Sequence, residues 1–198
     1  MKIALDLDEV TVDFISAMIR EFNHRYGKNI SKEDITNFSL TKSMNSEKEI
    51  IDKIIDDIYG TEIHSSLVPV DGSKESINYL LEKNEIFIVT SRPSKHKEST
   101  EKWINTHFPN NKFHIIFSSS PQISDKIKSK AEICIDNKIS LIFEDNPDYA
   151  IECANKNIKV ILFDQPWNQD ISHKNMIRVK GWSEATSAFR EIENKDKL

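Results

Sequence analysis

A chain of 198 residues, 38% hydrophobic and 30% charged, can bury one domain core and still carry a smaller inserted domain. Four glycines and six prolines are too few for a fibrous or disordered chain. A formal net charge of -5, with no dense Lys/Arg block, argues against a protein that grips duplex nucleic acid.

The N-terminal run Met1-Lys2-Ile3-Ala4-Leu5-Asp6 is too short and too soon interrupted by carboxylates to read as a signal peptide. No stretch approaches the roughly 18 apolar residues that span a membrane, so a cytoplasmic location is expected. The two cysteines, Cys134 and Cys153, lack metal-site or redox-motif spacing and are expected to be buried free thiols.

In chain order, short apolar runs predict strands at Lys2–Leu7, Glu85–Thr90, Phe113–Ser118, Leu141–Glu144 and Lys159–Phe163, with a weaker sixth at Ile177–Val179. Between them, amphipathic spacing predicts helices at Ser73–Lys83, Lys95–His107, Lys128–Asn137, Pro147–Lys156 and Ser183–Ile192, the last with Ser183 as N-cap. This alternation predicts an α/β fold, a doubly wound, Rossmann-like parallel sheet with helices on both faces. The stretch from Asp8 to Glu85 is longer than one crossover needs, and it holds two more helical patterns, Phe14–Tyr26 and Glu47–Tyr59. The expected division is a core of residues 1–14 and 68–198, with 15–67 a helical cap inserted after the first strand.

Ligands of parallel α/β sheets bind beyond the carboxyl ends of the strands, and three of these ends carry chemistry. The first ends Asp6-Leu7-Asp8-Glu9. Carboxylates two apart face one way in extended chain, and a divalent cation relieves their repulsion; an acidic turn would leave the same pattern. All-oxygen ligation favours magnesium over zinc. The second ends Thr90-Ser91-Arg92-Pro93, where hydroxyls, backbone N–H groups and a guanidinium suit phosphate oxygens or a second anionic group. Ordinary loop and capping chemistry is the alternative. The fourth ends Glu144-Asp145-Asn146-Pro147, a second acidic pair or an acidic helix cap. Together they form one oxygen-rich cup for a magnesium ion and a phosphate, with Lys126, Lys128 and Lys130 as sources of opposing charge.

These motifs resemble the haloacid dehalogenase (HAD) superfamily of phosphotransferases: Asp6-Leu7-Asp8-Glu9-Val10 its first motif, Thr90 its second, a lysine near 130 its third and Glu144-Asp145 its fourth. Within it, Ile88-Val89-Thr90-Ser91-Arg92-Pro93, Ile142-Phe143-Glu144-Asp145-Asn146-Pro147 and Leu162-Phe163-Asp164-Gln165-Pro166-Trp167-Asn168 are similar to the deoxyribonucleotidases, or cytosolic type C 5′-nucleotidases. The resemblance implies a magnesium-dependent phosphomonoesterase for (deoxy)nucleoside monophosphates. Asp6 would be the nucleophile and Asp8 the acid–base. Magnesium would sit on Asp6, the Asp8 main-chain carbonyl and Asp145. Thr90 and Lys130 would hold phosphate, with Ser91 and Arg92 beside them. Lys130 is preferred over Lys126 and Lys128 because it opens the helix before the fourth strand. No membrane or polymeric nucleic acid is implied as a partner, and a homodimer is compatible with it.

Two residues depart from the pattern: Glu9, where many relatives have glycine, and Glu144, where an aspartate is common. Phe14 and Phe38 are better read as core aromatics than as substrate contacts, and Trp167 either borders the pocket or plugs the sheet edge. Two rival activities share these motifs. One is a phosphatase for a sugar phosphate or other small metabolite; the other is a phospho-accepting regulatory domain, in which the accepting aspartate would follow the third strand.

Overall fold

A computed structural model describes residues 1–60, 64, 66–109, 112–118 and 127–195. The six strands are β1 (Lys2–Leu5), β2 (Glu85–Thr90), β3 (His114–Phe117), β4 (Leu141–Glu144), β5 (Lys159–Phe163) and β6 (Met176–Val179). They form one parallel sheet of order β3-β2-β1-β4-β5-β6. The chain winds outward from β1 in one direction and then, after β3, crosses to β4 and winds in the other. The point where the order reverses lies at β1, so the crevice beyond its carboxyl end is where such a sheet places ligands.

Side-chain alternation divides the core into two apolar layers. Ile3, Leu5, Ile86, Ile88, Leu141 and Phe143 face one layer, filled by α4 (Ser73–Leu81), α5 (Lys97–His107) and α8 (Trp182–Lys195). Ala4, Phe87, Val89, Ile142, Val160 and Leu162 face the other, covered by α6 (Lys130–Asp136) and α7 (Pro147–Asn155). The central strands are buried on both sides, which is why they read as unbroken apolar runs. Cys134 and Cys153 are buried free thiols of the second layer.

Residues between β1 and α4 rise over the strand ends as α1 (Phe14–Tyr26), a 3-10 turn at Lys32–Asp34, the short α2 (Leu40–Ser43) and α3 (Lys48–Gly60). Asp13 caps α1 by accepting from Ser16 N, and Gly27, at φ 59°, ends it in a left-handed turn. Phe14 stacks on Tyr59 at 5.0 Å, and Arg25 donates to Asp57 at 2.5 Å, so α1 and α3 brace each other.

Several boundaries differ from expectation by a few residues, and two of them have a clear physical cause. The first strand ends at Leu5, not Leu7, because the chain then turns sharply: Thr11 N and Val12 N both donate to Leu7 O, and Glu9 adopts φ 62°. Helix α8 begins at Trp182, so Ser183 lies inside the helix and is not its cap. The Trp182 indole is buried, stacks on Phe143 at 5.3 Å and donates to Val10 O at 2.7 Å, while Glu184 accepts from Lys180 N before the first turn.

Candidate active site

The strand ends converge. Asp6 follows β1 directly, and its N–H still donates to Phe143 O of β4 at 2.9 Å, which fixes the carboxylate beside the end of β4. Glu144 closes β4 and is fully buried. Its Oε1 accepts from the N–H groups of Asp145 and Asn146, so the turn itself aims Asp145. Asn146 then caps α7 by accepting from Asp148 N and Tyr149 N, with Pro147 in the first turn.

Asp6, Glu144 and Asp145 each bring a carboxylate oxygen within 4.8 Å of the others. Lys130 Nζ stands between Asp6 Oδ1 at 2.6 Å and Glu144 Oε2 at 2.8 Å, with no side-chain exposure. It reaches this place as the first residue of α6, held there by a capping box in which Ser129 accepts from Glu132 N and Glu132 accepts from Ser129 N. Lys128 points elsewhere, to Asp136 on the surface, and Lys126 lies outside the described residues.

One lysine does not balance three buried carboxylates. Burial first, then Glu144, pushes Asp6 up to about 8 against the pull of Lys130. Burial, Glu144 and Asp6 push Asp145 well above the usual carboxylate range. Lys130 itself is raised by Asp6 and Glu144 despite burial. Buried carboxylates forced upward in this way are short of positive charge, and an all-oxygen donor set of this size suits a hard metal ion. The residues present therefore fit a cation site.

Asp8 is placed differently. Its carboxylate lies outside that triad and takes both Arg92 Nε, at 3.2 and 3.0 Å, and Arg92 Nη2 at 2.5 Å. Tyr59 of α3 adds its hydroxyl to Asp8 Oδ2 at 3.1 Å. Thr90 is buried and accepts from Arg92 N through Oγ1; Ser91 is exposed to the cleft. Asp6, Asp8, Ser91, Arg92 and Asp145 all line one cleft of about 570 Å³, roofed by apolar residues of α1, α3 and the segment between them, Phe14 and Phe38 among them. Phe14 is buried and Phe38 exposed, so the first is packed as well as cleft-lining and the second stands free at the mouth.

Sequence reasoning left Trp167 open and passed over two residues. Trp167 is buried, lines the cleft and donates Nε1–H to Asp145 Oδ2 at 3.0 Å; Asn168 holds Asp145 O at 2.7 Å from the same turn. The Gln165-Pro166-Trp167-Asn168 run after β5 carried that signal. Tyr59 and His64 gave none, since nothing in local periodicity links either to the strand ends.

Glu9, the departure in the first motif, is buried at a backbone angle glycine favours, which costs on the order of 1–2 kcal/mol. It is tied down by Ile15 N at 2.7 Å and Lys32 Nζ at 2.6 Å.

A family model described as 5′ nucleotidase, deoxy (pyrimidine), cytosolic type C, matches residues 1–193. The chain belongs to that family. It is 29% identical to a protein of Halalkalibacterium halodurans described as a presumptive nucleotidase, over 93% of this chain and 90% of that one. It is 26% identical to the 5′(3′)-deoxyribonucleotidase of Bacillus subtilis, over 92% of this chain and 94% of that one. Among solved structures, a conserved haloacid dehalogenase-like protein from Agrobacterium tumefaciens superposes with a TM-score of 0.67 at 15% identity, covering 97% and 98% of the two chains. A HAD hydrolase of Bacillus subtilis solved bound to magnesium superposes with a TM-score of 0.58 at 14% identity, covering 94% and 97%. The fold is HAD-like, and the family is one of phosphomonoester hydrolases. Among the described residues no helix is long and apolar enough to cross a membrane.

Proposed function

We propose that this protein is a magnesium-dependent nucleotidase that releases phosphate from deoxyribonucleoside monophosphates through a phosphoaspartate at Asp6. The observation that carries the reading is Asp6 itself: a carboxylate at the end of β1, gripped by a buried lysine, beside two further carboxylates and under a roofed cleft. Asp6 attacks phosphorus, the phosphorus–oxygen ester bond breaks, and the departing alcohol oxygen takes a proton from Asp8. Asp8 then accepts a proton from water as that water attacks phosphorus, which frees phosphate and restores Asp6. Lys130, Thr90 and Ser91 hold the phosphoryl oxygens in place, and most of the acceleration comes from such positioning and charge.

The Asp6 and Asp145 carboxylates, with the Asp8 main-chain carbonyl, would hold magnesium, which when bound would supply the positive charge that the carboxylates and phosphate share. Residues 15–67 act as the cap. Their Ile15, Phe38 and Tyr59, with Phe14 at the junction to the core, give the apolar wall that a nucleoside needs above a polar floor. The free, buried thiols accord with the cytoplasm, where nucleotide pools lie.

The test is phosphate release from a panel of deoxynucleotides and sugar phosphates, with magnesium and with EDTA. Deoxynucleotides are expected to rank first, EDTA to stop turnover, and Asp6→Asn to lower kcat by roughly a thousandfold or more with the fold unchanged. A folded Asp6→Asn protein at full activity would end the proposal. Sugar phosphates ranking first would move it to a metabolite phosphatase of the same fold.

A further inference from the structure

The second acidic residue of the first motif is built into a side-chain clamp. Arg92 leaves the end of β2 with 1% side-chain exposure, against 25% for Asp8. All three of its guanidinium nitrogens are held by protein. Nε and Nη2 take Asp8; Nη1 meets His64 Nε2 at 3.1 Å and Thr100 Oγ1 at 3.2 Å. The Tyr59 ring lies 4.4 Å from the guanidinium carbon, and its hydroxyl reaches Asp8 Oδ2. Burial and then Arg92 push His64 down to about 4, so near neutral pH its ring is uncharged and Nε2 accepts from Arg92.

A phosphate ligand of this family of reactions must present donors to the cleft. Arg92 instead spends its fork on Asp8, the bidentate geometry for which arginine and not lysine is suited. Both Asp8 oxygens are engaged, which fixes the carboxylate's rotamer. Tyr59 comes from α3, whereas Arg92 comes from the sheet. The clamp on Asp8 is therefore complete only when α3 sits over the strand ends.

We propose that Arg92 and Tyr59 are positioning residues that aim Asp8 at the leaving-group oxygen and make its proton transfer depend on the seating of α3, and that Arg92 is not a phosphate ligand. This rests on the acid–base role of Asp8 given above. It assigns Arg92 a part in leaving-group protonation and removes it from anion binding.

The experiment compares kcat/KM for a deoxynucleoside 5′-monophosphate, whose alkoxide must be protonated to leave, with kcat/KM for p-nitrophenyl phosphate, whose phenolate leaves unaided. It uses Arg92→Lys, Tyr59→Phe and Asp8→Asn, and it also records inhibition by inorganic phosphate. The ratio of the two kcat/KM values is expected to fall about tenfold or more in Arg92→Lys and about threefold in Tyr59→Phe, on the scale of general acid catalysis, with phosphate inhibition within about twofold of wild type. Parallel loss on both substrates at constant ratio overturns the proposal. If phosphate inhibition also weakens, Arg92 is an anion ligand after all; if it does not, the role is purely structural. Should Arg92→Lys fail to fold, Tyr59→Phe, which keeps the ring and removes one oxygen, decides on the same ratio. A normal ratio in Asp8→Asn overturns the acid–base assignment together with this inference. A lowered ratio there beside a constant ratio in the other two variants overturns the inference alone.

Discussion

The floor and the roof of the cleft are fastened in different ways. The floor is fixed at the strand turns: Asp6 N donates to Phe143 O, the Glu144 carboxylate accepts from the N–H groups of the two residues that follow it, and buried Lys130 joins Asp6 to Glu144. The roof meets the floor through side chains, many of them charged. Lys32 reaches Glu9 at 2.6 Å, Asp56 of α3 takes Lys95 at 2.7 Å and His96 at 3.0 Å, and Tyr59 reaches Asp8. A floor set by strand pairing holds its geometry to the limit of the sheet, whereas ion pairs near solvent contribute about 0–1 kcal/mol each and yield to salt. The difference leaves the floor set by the sheet and the ion pairs between roof and floor open to screening by salt.

The floor should break first at Trp167. Its indole N–H is the side-chain donor on Asp145 Oδ2, and outer partners of metal-binding carboxylates tune affinity by about 10–100-fold. Trp167→Phe keeps an aromatic ring, though a smaller one, and drops that hydrogen bond. Magnesium affinity, read by calorimetry or by the rise in unfolding midpoint on adding magnesium, is expected to fall within that range. An unchanged affinity would mean that the floor's geometry rests on the strand turns alone.

The contrast also separates what was legible in the sequence from what was not. The floor was legible because each of its residues sits at the end of an apolar run, and parallel strands bring those ends together whatever lies between. The strands came out nearly as expected, and so did α1 and α3, the two helices expected before α4; Phe14–Tyr26 matches to the residue. The clamp on Asp8 was not legible. Tyr59 lies 51 residues from Asp8 and Arg92 lies 84, and no periodicity encodes which buried groups meet across such distances. Trp167 falls between the two cases, since its motif was visible but the direction of its indole was not. Glu9 stood out in the sequence only as a departure from the first motif. The structure ties it to Ile15 N and Lys32, yet it still lines the cleft and its charge helps to push Asp145 upward.

His64, beneath the roof, sharpens the comparison through pH. It faces Arg92, Tyr59, Asp8 and His96, and its folded value near 4 lies below the ordinary value of 6.5. Between those values the unfolded chain binds more protons than the folded one, so this group stabilises fully above pH 6.5 and its contribution declines as pH falls toward 4. From pH 7 to 5 the loss amounts to about 2 kcal/mol. Raised carboxylates such as Glu9 act with the opposite sign, so the wild-type slope mixes the two. Subtracting the urea-unfolding free energies of His64→Gln, which retains an acceptor for Arg92, isolates the histidine. The difference should shrink by about that amount between pH 7 and 5. A difference independent of pH would remove His64 from the account of acid sensitivity.

The smallest expected effect is at the rim, where Asp56 joins α3 to the turn after β2. Its side chain is 46% exposed, Lys95 is 58% exposed, and only His96 is buried. Lys95 and then His96 hold the Asp56 carboxyl below its ordinary range, so the pairing is present at neutral pH. Because water screens two of the three partners, Asp56→Asn is expected to change unfolding free energy by no more than ~1 kcal/mol, and by less still in 1 M salt, where the screening length falls to about 3 Å. If instead the variant loses several kcal/mol, and the loss persists at high salt, the roof is bolted to the floor as firmly as the floor is to the sheet. Opening would then have to come from bending within α1–α3 rather than from release at the rim.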